Sequence, residues 1–125
     1  MPDFPNPFVG NVPDRKLNFE ELIRAIRIDI AGELEAIHLY QAHAQATDNE
    51  LVKEVLLDIA NEERVHVGEL QRLLTLLLAD EETLLAEGKA EVDAVAAKLG
   101  AKAVPAESNR TAPTGDAPTI GSLKP

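Results

Sequence analysis

Residues 49–79 read NELVKEVLLDIANEERVHVGELQRLLTLLLA, and the positions Val52, Leu56, Ile59, Leu70, Leu73 and Leu77 fall three and four apart. That period matches the 3.6-residue turn of an α-helix with one buried stripe. Two members of the same stripe, Glu63 and His66, are polar. Working outward, residues 19–46 read FEELIRAIRIDIAGELEAIHLYQAHAQA and give a second stripe: Phe19, Ile23, Ile26, Ile30, Ile37, Tyr40 and Ala44. Here one position, Glu33, is a carboxylate. Residues 47–49, Thr-Asp-Asn, break the pattern between the two. A connection that short makes the helices antiparallel neighbours.

The boundaries follow from end signals. Asn18 caps helix one, with Glu21 three residues on in a capping-box arrangement. Asp48 is expected to cap helix two, which runs from about Asn49 to about Ala79. Asp80 is expected to cap a third helix, Glu81 to Leu99, which stops at Gly100; Gly88 inside it is expected to weaken or kink it. Prolines are confined to the ends: positions 2, 5, 7 and 13, then 105, 113, 118 and 125. The expected organisation is an extended arm over residues 1–18, a helical domain over 19–100, a flexible linker over 101–118 and a short terminal peptide over 119–125. The fold class is all-α, a two-helix hairpin plus a short third helix.

Composition narrows the chemistry. The 125 residues include no cysteine, which excludes disulfides, zinc fingers, iron–sulfur sites and thiol catalysis. The net charge is −10, with 22 acidic against 12 basic residues, so nucleic acid is not an expected partner. Residues 19–100 carry 18 of the acids and 7 of the bases, so the acidity belongs to the helical body. No apolar run approaches the ~20 residues of a membrane span, and no secretory signal is expected from the opening residues. The expected location is the cytoplasm.

Glu33 lies 15 residues before position 48 and Glu63 lies 15 after it. Both are therefore about 22 Å from the turn and at one level, with His66 one helical turn away. Buried carboxylates need a counter-charge, and neither stripe holds a Lys or Arg. A metal cation is the simplest compensation. Carboxylate and imidazole donors without thiolates suit iron or manganese. Four-helix di-metal sites take one Glu from each of two helices and one Glu-x-x-His from each of the other two. This chain supplies half of that set on half of a bundle, so two copies related by two-fold symmetry would complete both. A polar stripe also has a plain alternative, since such residues fix register between helices.

The stretches Glu33-Leu34-Glu35-Ala36-Ile37-His38-Leu39-Tyr40 and Glu62-Glu63-Arg64-Val65-His66 resemble the encapsulated ferritins, in the rubrerythrin-like branch of the ferritin superfamily. The likeness covers about residues 17–100. It extends to Thr119-Ile120-Gly121-Ser122-Leu123-Lys124, which looks like the peptide that targets cargo into encapsulin shells. Ile120 and Leu123 flank Gly121 and Ser122 as two apolar anchors on a tether.

The resemblance implies a ferroxidase that oxidises Fe(II) with dioxygen inside an encapsulin nanocompartment, for iron storage and detoxification. It implies two irons per dimer, held by Glu33, Glu63 and His66 across the subunits, and an annular decamer of five dimers. Tyr40 matches a tyrosine beside the centre. Glu35 matches an acidic position near the entry route, while Gly32 and Leu39 depart from relatives that carry an acid and a Trp there.

Glu35, His38 and Glu62 are the candidates for a secondary metal site, against the plainer reading of solvated polar residues. The leucine-rich face of residues 73–78 is expected to pack on the third helix or on a neighbouring dimer. Two other functions remain open on sequence. One is a rubrerythrin-like di-metal peroxidase, although such proteins usually add a cysteine-held iron. The other is a non-catalytic acidic helical adaptor.

Overall fold

The structure, a computed structural model, describes residues 14–100. It contains three helices: α1 (Phe19–Gln45), α2 (Glu50–Leu77) and α3 (Glu81–Leu99), with no strand among the described residues. Helices α1 and α2 pack along their length as an antiparallel hairpin, and α3 makes few contacts with α2.

The first helix begins as its end signals require. Asn18 Oδ1 accepts the Glu21 N–H at 2.9 Å, and Glu21 Oε1 accepts the Asn18 N–H at 3.0 Å. Arg15 adds a fork to the same carboxylate, with both nitrogens at 2.7 Å. These donors, Arg15 first and then the Asn18 N–H, hold the Glu21 carboxyl down at about 2 from its usual 4.5. The second helix departs from expectation by one residue. Asn49, not Asp48, is the cap, with its Oδ1 accepting the Val52 N–H at 3.1 Å. Thr47 Oγ1 accepts the Asn49 N–H at 3.2 Å, which turns the chain one residue later than Asp48 capping would. Asp80 occupies the cap position of α3 with helical backbone angles, but its side chain makes no capping bond. Helix α3 continues unbroken through Gly88 and ends at Gly100, whose φ of 63° lies in the left-handed region that glycine enters freely.

The core is small. Leu74 is 1 % exposed and packs with Ile23 and Ile26 of α1, with Ile30, Leu70 and Leu78 around them. Ala44 and Ala60 complete the buried apolar set. The stripe on α2 that meets α1 is therefore centred on Leu74, one residue round from the expected Leu73. Leu73, Leu77 and Val52 stand exposed, as does Phe19 at 53 %. The expected α2 stripe averages two faces, one against α1 and one that no other described residue covers. The leucine-rich face of residues 73–78 is likewise not covered by α3: Leu76 is exposed too. Arms and peptide outside residues 14–100, including Ile120, Gly121, Ser122 and Leu123, lie beyond the described residues.

Truncating Leu74 to Ala should lower unfolding free energy by ~2–5 kcal/mol, measured by urea titration at fixed protein concentration. The Glu21 carboxyl should titrate near pH 2 by NMR. Because its folded value is depressed, its contribution is complete above its unfolded value of 4.5 and disappears as pH falls through about 2; Glu21→Gln should remove that dependence.

Candidate metal centre

Three side chains meet midway along the hairpin. Glu33 comes from α1, and Glu63 and His66 from α2, one turn apart on the same face. One donor atom from each lies within 4.8 Å of the other two. His66 Nδ1 is 3.4 Å from Glu63 Oε2 and 3.8 Å from Glu33 Oε2. The antiparallel packing of two helices that count equal residues from one turn brings the two carboxylates to the same height.

The cluster is neither buried nor free. The side chains are 17 % exposed for Glu63, 28 % for Glu33 and 45 % for His66, so the site is roofed by the hairpin on one side and open on the other. No Lys or Arg lies within ion-pair distance of Glu33 or Glu63 among the described residues. Two carboxylates this close, with only an imidazole between them, concentrate negative potential where a cation would be held. The donors are hard oxygens and one imidazole, which suit a first-row divalent metal.

The remaining candidates stand apart. Tyr40 is half-buried on α1, two turns beyond Glu33, and makes no hydrogen bond to the three among the described residues. Glu35 and Glu62 are half-buried and His38 is exposed, and none of them joins a cluster of three donors. Two features escaped the sequence. Asp58 is a buried acid on α2, and Glu81 is a buried acid held by Arg27. Neither sits on an apolar stripe that would mark it. The Arg27–Glu81 contact also spans a second turn, so counting from the first cannot find it.

Comparison with known proteins gives the family. The family described as ubiquinone biosynthesis protein COQ7, a ferritin-like family, matches residues 20–106. The crystal structure of the encapsulated ferritin domain from Pyrococcus furiosus superposes with a TM-score of 0.63 at 39 % identity, over 71 % of this chain and 90 % of that one. The chain belongs to this ferritin-like family, and it is related to the encapsulated ferritins. Among other relatives of this chain, the "Encapsulin nanocompartment cargo protein EncC" of Myxococcus xanthus is 47 % identical over 72 residues, 58 % of this chain. A "Ferritin-like-encapsulin shell fusion protein" of Pyrococcus furiosus is 42 % identical over 87 residues, 70 % of this chain. The chain spans 55 % of the first protein and 25 % of the second.

Titration with Mn(II), followed by calorimetry, should show binding that falls by at least ~10-fold in Glu33→Gln, Glu63→Gln and His66→Ala alike. Unchanged binding in all three would remove the cluster as a metal centre.

Proposed function

We propose that this encapsulated ferritin is a ferroxidase, oxidising Fe(II) to Fe(III) with dioxygen at a two-iron site completed by a second copy of the chain. The observation that carries the reading is the half-open cluster of Glu33, Glu63 and His66. It holds one Glu and one Glu-x-x-His, which is half of the six-residue set that a four-helix di-iron site uses. The exposed leucines and valines along the hairpin support the second copy. Only five apolar residues among the described ones are buried, and an element with so much uncovered apolar surface needs a partner face.

The residues have distinct tasks in this reading. Glu63, the least exposed of the three, and Glu33 would hold the irons through carboxylate oxygens, and His66 would do so through one ring nitrogen. Fe(II) is the substrate; two ions give up one electron each, and one dioxygen would take up both electrons with two protons from solvent and leave as hydrogen peroxide. Hard oxygen donors favour the ferric product over the ferrous reactant. Tyr40 lies on the same helix as Glu33 and would bond a ligand carboxylate once a partner closes the site.

The proposal extends to the setting. Residues 119–125 dock into an encapsulin shell in the cytoplasm, tethered by residues 101–118, and the shell supplies the storage volume that a hairpin lacks. The arm over residues 1–18 leads into the helical domain. The names of the two relatives and the Ile120-Gly121-Ser122-Leu123 sequence support the docking. Five dimers close into a ring, following the family resemblance.

Glu33→Ala, Glu63→Ala and His66→Ala should each slow oxygen consumption on Fe(II) addition by at least ~100-fold, with peroxide a poorer oxidant than dioxygen in the parental chain. Parental rates in all three variants would refute the activity. Deleting residues 117–125 should abolish loading into a co-expressed shell and leave oxidation intact; equal loading would refute the targeting role. Native mass spectrometry during Fe(II) titration should show two irons per dimer.

A further inference from the structure

Among the described residues, helix α3 packs only lightly on the hairpin. Glu81, its first residue, is 8 % exposed and is the one buried residue of the helix. Both of its carboxylate oxygens accept from Arg27 on α1: Nη1 donates to Oε2 at 3.0 Å and Nη2 donates to Oε1 at 2.8 Å. The partners are 54 residues apart and on different helices. A two-pronged guanidinium–carboxylate pair is planar, so it fixes direction as well as distance.

Little else fixes that direction. The Asp80 side chain makes no capping bond in the turn that precedes α3. Beyond Glu81, only Leu85 and Ala96 are even half-covered. Leu84, Gly88, Val92, Val95 and Leu99 follow one another at helical spacing, and all are exposed. Packing along the helix therefore cannot aim it.

We infer that the Arg27–Glu81 pair is a latch that sets the angle at which α3 leaves the hairpin, and with it the direction in which the apolar stripe of α3 is presented. Arg27 and Glu81 are positioning residues in this role. An ion pair with one partner half in solvent contributes little to global stability. A latch therefore predicts a large change in the angle with a small change in unfolding, and the test can separate the two.

The chain has no cysteine, so Gln41→Cys on α1 and Lys89→Cys on α3 accept spin labels cleanly. Both positions are exposed. Labelled full-length chains, diluted among unlabelled ones, are measured by pulsed dipolar spectroscopy. The parental chain should give one narrow distance distribution. Glu81→Gln and Arg27→Gln should lose that narrow peak while keeping the urea midpoint and helical circular dichroism. The exchange R27E/E81R, which restores the pair with its charges reversed, should recover the peak. Parental distance and width in both single variants would overturn the latch, as would an exchanged chain that stays helical but as broad as the singles.

Discussion

Two carboxylates of one chain, Glu33 and Glu63, are held at the same height on facing helices with no Lys or Arg among the described residues beside them. That arrangement is costly in isolation, because like charges repel more strongly as solvent is removed. It persists because the hairpin has no freedom to avoid it. The Leu74–Ile23–Ile26 cluster fixes the mutual rotation of α1 and α2, and the turn between Gln45 and Glu50 fixes their register. The packing that stabilises the hairpin thus produces the negative potential of the site. A cation relieves the repulsion without any change in the helices.

The same packing leaves work undone. The hairpin buries the faces that α1 and α2 turn toward each other and leaves Leu73, Leu77 and Val52 uncovered on the flank of α2. Glu63 belongs to both the covered stripe and this open flank, and His66 lies on the open side. Site and apolar flank are therefore exposed together. Whatever surface covers one also encloses the other, which couples association to completion of the metal centre in the proposed function.

Much of this was legible in the sequence. Three-and-four spacing located α1 and α2, and the confinement of proline to the ends bounded the helical body. Equal counting from position 48 placed Glu33 opposite Glu63. These readings succeed because they rest on helix geometry, which varies little between proteins. The failures occurred where several weak local preferences compete. Asp48 and Asn49 are both good caps, and the choice fell to Asn49 through the Thr47 hydroxyl, a contact of the folded turn. Leu73 and Leu74 are equally apolar, and only the rotation of α2 against Ile23 and Ile26 distinguishes them. The Arg27–Glu81 pair depends on where α3 travels after its turn, which no periodicity in α1 encodes.

Equal counting from a shared turn also has a bearing on how such a chain tolerates insertions and deletions. One extra residue within residues 34–45 would move Glu33 by about 1.5 Å along its axis and swing it about 100° around it, out of reach of Glu63. The same residue added between the helices, at positions 46–49, would lengthen a solvent-facing loop and leave both helices in place. Related chains that keep this centre should therefore vary in length at the bend and hardly at all in the spans on either side of it.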